Sequence, residues 1–346
     1  MRLIVLTPGF AADEQDRNCI PPLQLLALEL LGKSIDLQIV ALEYPFRSEP
    51  YRWHNAVVHP CNGQNRRWLK PRTLVRAARF CGRIMAEKKA DAVHSFWLGW
   101  ASRTGERISK KYRAPHFTTL MGQDVLPDNR LFLRGLTAER CSRLVALSRF
   151  QNDVFEKNSG LRAGHIVPWG LPEDEIPAGF SSERPIDILG AGSLVAVKNW
   201  EKWLRVVAAV AEKKPGIRAE LVGDGPERGR LEQLAGRLGL RETVHFAGNL
   251  PRAEALARMR EARVLLHTAR FESFGFVLAE AAMNGCRIVG TPVGVAAELG
   301  GATAENECEL AGLLLHEIGQ PVNSQAFVPF RMKNTAASYL QIYTNK

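Results

Sequence analysis

Two glutamates separated by seven residues, Glu272 and Glu280, flank a Ser273-Phe274-Gly275 turn that runs directly into an apolar stretch beginning Phe276-Val277-Leu278-Ala279. A serine at such a turn can cap a helix, and a glycine lets a ligand approach the backbone closely. The free amides at the positive end of the helix dipole favour a diphosphate. Ser273, Phe274 and Gly275 are therefore candidates for a diphosphate cradle lined by Leu278, with Glu272 and Glu280 bracketing whatever the diphosphate carries. The same residues also fit a capped helix with one solvated and one salt-bridged glutamate, so the neighbouring elements must decide between the readings.

Those elements alternate between strand and helix. Ile186-Asp187-Ile188-Leu189-Gly190-Ala191-Gly192-Ser193-Leu194 reads as a buried strand ending in small residues, and Val197-Lys198-Asn199-Trp200 opens an amphipathic helix. A lysine at that point can meet phosphate. Ala219 to Pro226 is a second strand ending in the turn Gly223-Asp224-Gly225, while Val244 to Gly248 and Val264 to Thr268 are two more strands, the former followed by Asn249-Leu250. In the N-terminal half, Arg2 to Leu6 forms a first strand that runs into Gly9, as where a doubly wound sheet presents its loops to a ligand.

The order strand, Lys turn, strand, Gly-Asp-Gly turn, two strands, Glu-x7-Glu helix resembles the C-terminal domain of family 4 glycosyltransferases, retaining enzymes of the GT-B fold, over residues 186 to 300. The segments 92–97, 117–124, 144–148 and 166–170 resemble that family's interdomain loops, last strand and linker more weakly. The resemblance implies an α/β chain with two Rossmann-like doubly wound domains facing a cleft. Residues 1–168 would form an acceptor domain, 169–325 a nucleotide-sugar donor domain, and 326–346 a terminal helix crossing back to the first domain. Punctuation by Pro168, Gly170 and Pro172, the irregular stretch 177–185, and the stretch 321–329 agree with those boundaries.

On that reading Lys198 and the amides of Ser273, Phe274 and Gly275 stabilise charge on the departing diphosphate. Glu272 bonds sugar hydroxyls, Glu280 the ribose, Asn249 and Leu250 touch the base, and Gly9, Ser193, Gly223 and Leu278 complete the donor side. The nucleotide sugar is a co-substrate, and neither a cofactor nor a metal is expected. Anomeric configuration would be retained, with the leaving phosphate helping to deprotonate a glycan, lipid-linked or polysaccharide-precursor acceptor. His94, Met121 and Asp124 are acceptor-side candidates by family position. Two positions depart from the family pattern: Met121 stands where a His is frequent, and Ser193 where many members have Arg. A nonhydrolysing sugar-nucleotide epimerase of the same fold and a non-catalytic sugar-nucleotide binder remain alternatives. A dinucleotide fingerprint is absent, because neither Gly190-Ala191-Gly192 nor Gly223-Asp224-Gly225 is followed by a third glycine at the needed spacing.

With 346 residues, 46% hydrophobic and 24% charged, the chain has a globular composition and a length suited to two domains. No apolar run reaches the ~18 residues of a spanning helix, and the N-terminus is too quickly polar for a signal peptide, which leads to an expected cytoplasmic location. Six cysteines without a CxxC pair argue against zinc and against a disulfide framework.

Charge is unevenly distributed. Residues 1–165 hold 26 Lys and Arg against 15 Asp and Glu, whereas residues 166–346 hold 20 against 21. The excess is concentrated from Arg66 to Arg83, where Arg72, Arg76, Arg79 and Arg83 recur at helical spacing with no acidic residue between. Such a face fits either a solvated basic helix or a peripheral contact with an anionic membrane surface. Nucleic acid is not expected as a partner, since aromatics do not interleave with the basic run.

Overall fold

In the computed structural model the chain divides into two compact units, Met1–Gly170 with Arg331–Lys346, and Leu171–Phe330. The structure describes residues 1–177, 179, 183–322 and 327–344. The chain passes between units after Gly170 and after Phe330, against the expected boundaries after 168 and 325. The expected irregular stretches 177–185 and 321–329 lie partly outside the described residues.

Unit 1 contains β1 (Arg2–Gly9), β2 (Asp36–Tyr44), β3 (Tyr51–Trp53), β4 (Ala56–Pro60), β5 (Ala92–Phe96), β6 (His116–Thr119), β7 (Leu144–Ala146) and β8 (His165–Ile166). They form one sheet in the order β3-β4-β2-β1-β5-β6-β7-β8, parallel except for the β3–β4 edge pair. Parallel sheets are covered on both faces and need continuous apolar runs. β1 meets this with Leu3, Ile4, Val5 and Leu6, all buried. The helix Lys70–Glu87 turns Ala77, Phe80, Cys81 and Ile84 onto the sheet and leaves Arg72, Arg79 and Arg83 exposed. The terminal helix Met332–Thr344 belongs to this unit, with Tyr339 and Tyr343 buried around His94.

Unit 2 contains β9 (Ile186–Ala191), β10 (Ala219–Val222), β11 (Val244–Gly248), β12 (Ala262–His267), β13 (Arg287–Gly290) and β14 (Ala302–Thr303). All run parallel in the order β11-β10-β9-β12-β13-β14. Trp200, Trp203, Leu204 and Val207, on one side of the helix Trp200–Lys213, pack into the core beneath β9 and β10.

Each sheet has one point where the chain reverses its direction of growth. In unit 1 it lies between β1 and β5, and in unit 2 between β9 and β12. Loops leaving the carboxyl ends of strands at such a point diverge and leave room for a ligand. Among the described residues no helix is long and apolar enough to cross a membrane.

Candidate active site

The reversal point of unit 2 gathers the charged residues. After β9 the chain makes a short 3-10 turn, Ala196–Lys198, then passes through Asn199 at φ 55 into the helix Trp200–Lys213. The loop after β12 is tied to this turn. Thr268 Oγ1 donates to the carbonyl of Asn199 at 3.1 Å, and the Arg270 amide donates to Val197 O at 2.8 Å. These bonds bring Lys198 onto Glu272, and the ammonium and carboxylate pair directly. His267, buried at the end of β12, places Nε2 3.4 Å from Glu272 Oε1, close enough to interact electrostatically but short of hydrogen-bond geometry.

Burial works to raise the Glu272 carboxyl, but His267 and Lys198 together outweigh it and hold the group down to about 2. Glu272 is therefore a permanent anion at neutral pH, and it fixes the lysine ammonium at the mouth of the sheet. Eight residues on, Glu280 sits on the helix Phe276–Met283 and is itself buried. Arg252, at the start of the helix Arg252–Glu261, donates to Glu280 Oε1 at 2.6 Å and forks onto both oxygens of Glu175 at 2.7 and 2.6 Å. Burial pushes the Glu280 carboxyl up, and Arg252 offsets this only in part. Glu280 Oε2 has no hydrogen-bond partner among the described residues.

Glycine packing sets how close the loops lie. A Cβ on Gly223, whose φ is +134, would fall 2.0 Å from the Gly192 carbonyl oxygen, and one on Gly225 would fall 2.6 Å from Leu194 O. The turns after β9 and β10 thus stack backbone on backbone, and Leu194 N donates to Asp224 O at 2.9 Å. The Gly223 amide in turn donates to Gly248 O at 2.7 Å, which stitches the Asn249-Leu250 loop to the same rim. Ser193 has an exposed side chain there, with its carbonyl receiving Trp200 Nε1 at 2.9 Å.

Several sequence expectations are corrected by these positions. Ser273 does not cap the helix. Gly275 is its N-cap, in the left-handed region at φ 87, with no side-chain cap, so the turn is closed by a conformation that favours glycine. Phe274 and Leu278 are buried. The Phe274 ring packs edge-on against Phe276 and Phe330, so only its main chain is available to a ligand. Gly9 ends β1 in unit 1, against Cys19 and Tyr44, where the sequence placed it. His267, Arg252 and Glu175 were not singled out in the sequence, because each acquires its role through a partner distant in the chain.

In unit 1 the reversal point between β1 and β5 opens a cavity of about 550 Å³ lined by Pro8, Glu43, Lys70, Trp97, Trp100 and Asp124, among others. Trp97 holds φ at +74, a backbone region that bulky residues rarely adopt and that tends to be kept where a loop has a task. Asp124 serves this pocket as a bracket. Its carboxylate accepts the amides of Leu98 and Gly122 at 2.8 Å and of Met121 at 3.2 Å, joining the loops after β5 and β6. Burial pushes Asp124 up to about 6 against the pull of those amides. Met121 is half-buried beside it.

His94 is not at this pocket. It is fully buried, bonded to the Tyr343 hydroxyl through Nδ1 and to Thr119 Oγ1 at 2.8 Å through Nε2, and stacked on Phe96. Both ring nitrogens are engaged, which makes it a core histidine that anchors the terminal helix and not an acceptor contact. Lys70, counted in the basic run, is instead paired with the buried Glu43, whose second oxygen accepts the Asn65 amide at 3.1 Å.

Comparison with known proteins bears on the family and the fold. The family described as glycosyl transferases group 1 matches residues 172–308. The 2-deoxystreptamine N-acetyl-D-glucosaminyltransferase of Streptomyces fradiae is 27% identical over 273 residues, 67% of this chain and 61% of that protein. The D-inositol 3-phosphate glycosyltransferase of Saccharomonospora viridis is 32% identical over 172 residues, 47% of this chain and 36% of that protein. The chain thus spans between about a fifth and three fifths of the length of the curated relatives it matches. The solved structure of Anabaena Alr3699/HepE in complex with UDP and glucose superposes with a TM-score of 0.65 at 19% identity, covering 99% of this chain and 95% of that one. Over residues 172–308 the chain therefore carries a domain of the glycosyl transferases group 1 family, and its two parallel-sheet units have the GT-B fold.

Proposed function

We propose that the protein is a retaining, metal-independent glycosyltransferase of family 4 that moves a sugar from a nucleoside-diphosphate donor, held by unit 2, to a glycan or lipid-linked acceptor, held by unit 1. The observation that carries this reading is the Lys198–Glu272–His267 cluster at the sheet reversal of unit 2, with Glu280 and Arg252 beyond it. A preorganised ammonium and backbone amides act on charge that develops in the transition state, where they contribute most.

In the proposed step the bond between the anomeric carbon and the diphosphate oxygen breaks, and its electron pair goes to the phosphate. Lys198 and the amides of the Ser273–Gly275 turn receive that charge. The acceptor hydroxyl oxygen forms the new bond on the same face of the sugar, and its proton passes to the departing phosphate oxygen. Glu272, charged and fixed, accepts from sugar hydroxyls, and Glu280 Oε2 from the ribose. The family match and the glycosyltransferase relatives favour transfer over the epimerase and the non-catalytic binder.

Differential scanning fluorimetry against nucleoside diphosphates and nucleotide sugars tests the donor site, since a ligand that binds only the folded protein raises its Tm. Stabilisation lost in Lys198→Ala and Glu280→Ala supports the reading, and no shift with any nucleotide at about 1 mM overturns it. Proton NMR of the product, with and without chelator, tests retention and metal independence.

A further inference from the structure

The helix Lys70–Glu87 carries four arginines whose surroundings the proposed transfer leaves unused. Arg72, Arg76, Arg79 and Arg83 line one groove of roughly 650 Å³, with Ser48 on the opposite wall. Its apolar lining includes the exposed Val75 and the buried Phe80. None of the four guanidinium groups has a carboxylate partner among the described residues, and Glu49, beside Ser48, pairs with none of them. Three other arginines of the unit do have carboxylate partners: Arg2 with Asp36, Arg140 with Glu106, Arg162 with Asp153 and Glu156. Like charges three and four residues apart on a helix repel, so this row is costly unless an anion completes it.

The groove is concave, and one guanidinium is already oriented in it. Arg76 donates through Nη1 to Ser48 Oγ at 3.1 Å and through Nη2 to Ser48 O at 3.0 Å. These bonds hold the side chain across the groove instead of letting it extend into solvent. Guanidinium groups bind phosphate oxygens bidentately and fix their orientation. At a rise of about 1.5 Å per residue, the row from Arg72 to Arg83 spans about 16 Å, long enough for several phosphates in sequence. Arg76, tied to Ser48, does not project as a side chain facing a planar lipid surface would, and a discrete ligand fits between the helix and the Ser48 wall.

We propose that this groove is a binding site for a discrete ligand bearing two or more phosphate groups, with its non-phosphate part lying on Val75 and Phe80. The groove starts at Pro71, the residue after Lys70, and Lys70 lines the pocket at the β1–β5 reversal. Resting on the transfer reading, the ligand is an acceptor whose anionic portion extends from that pocket along the helix.

Hydrogen exchange of the full chain, read peptide by peptide, tests this with inorganic tripolyphosphate as probe. The expected result is protection of residues 66–84 at low ionic strength, lost in the Arg72→Gln/Arg79→Gln/Arg83→Gln variant through a weakening of at least about 100-fold. These three side chains are solvent-exposed, so the variant is expected to keep the wild-type Tm. Protection of residues 192–198 and 272–280, reporting the donor loops, is read separately. Its absence counts against the transfer reading alone, because the groove is scored by 66–84. Protection of 66–84 that persists in the triple variant overturns the proposal. So does protection that appears only with vesicles of phosphatidylglycerol in phosphatidylcholine, which assigns the row to a lipid surface, and so does no protection with either probe.

Discussion

Lys198 and Glu272, 74 residues apart in the chain, form an ion pair across the junction between β9 and β12. The pair is mostly buried, with side-chain exposures of 20% and 16%, so removing one member strands the other charge in a poorly hydrated place. Breaking a buried pair in this way typically costs about 3–5 kcal/mol, reduced by whatever water reaches the site. Lys198→Ala is therefore expected to lower the Tm of the free protein and to cut kcat/KM by about 10²–10³-fold, as for other preorganised groups that stabilise a developing anion. Lys198→Ala/Glu272→Gln is expected to recover much of the Tm and none of the turnover. Thermal melts and steady-state kinetics on the two proteins check this.

The pH dependence of stability has a definite sign. Glu272 titrates at about 2 in the folded chain against an ordinary 4.5. A depressed folded pKa contributes stability that is fully present above the unfolded value and is lost as pH falls through the folded one. The difference in unfolding free energy between wild type and Glu272→Gln is thus expected to shrink as pH is lowered from about 4.5 to about 2. Denaturant titrations at a series of pH values measure it, and a difference that stays flat across that window contradicts the assignment.

Arg252 is expected to act through Glu280. Its guanidinium spans Glu280 and Glu175, so Arg252→Ala leaves the buried Glu280 carboxyl without its counter-charge and favours the protonated form. A protonated carboxyl accepts hydroxyl hydrogen bonds less well. The donor KM should rise about 10-fold or more, since hydrogen bonds to charged groups contribute about 1.5–3 kcal/mol, with a smaller change in kcat. An Arg252→Ala effect on KM that grows as pH falls separates this role from simple loosening of the fold.

Two glycines should respond in opposite directions to alanine. At Gly223 a Cβ meets the Gly192 carbonyl at 2.0 Å and the backbone has φ +134, so Gly223→Ala must push apart the turns after β9 and β10. Loss of nucleotide binding and a drop in stability beyond about 1 kcal/mol are expected. Gly229, in the helix Arg228–Arg237, meets nothing within 4 Å, and alanine there is expected to add about 0.5–1 kcal/mol through helix propensity. Paired thermal melts test both signs.

His94 and Asp124 should separate by what their loss disturbs. His94→Ala removes the bonds to Tyr343 and Thr119 and is expected to expose the terminal helix to proteolysis. Asp124→Ala orphans the buried Leu98 amide, which costs about 1–3 kcal/mol when left unsatisfied, and the part-buried amides of Met121 and Gly122. Asp124→Asn keeps one acceptor oxygen and should be milder. Limited proteolysis for the first and urea titration for the second read these effects.

The sequence by itself determined the elements and most of the charged residues that matter. Runs such as Leu3-Ile4-Val5-Leu6 are legible as strands buried on both faces, because a parallel sheet covered by helices leaves no polar side. The seven residues between Glu272 and Glu280 place one carboxylate before the helix and the other within it, as in the structure. Lys198 followed from its position at a strand-to-helix turn.

What tertiary structure decided was partnership. Strand order puts β9 beside β12, and only that order makes Lys198, His267 and Glu272 neighbours; local periodicity carries no information on it. The same holds for Arg252 with Glu280 and for Glu43 with Lys70, which withdraws one charge from the basic row. Ser273 reads as a cap by residue type, yet the left-handed Gly275 enters the helix in its place, because its backbone state is fixed by packing around it. A buried histidine and a catalytic one look alike in sequence. His94 became a core residue when Tyr343, 249 residues away, bonded its ring, since a chain's contacts are set by the folded path and not by the distance along it.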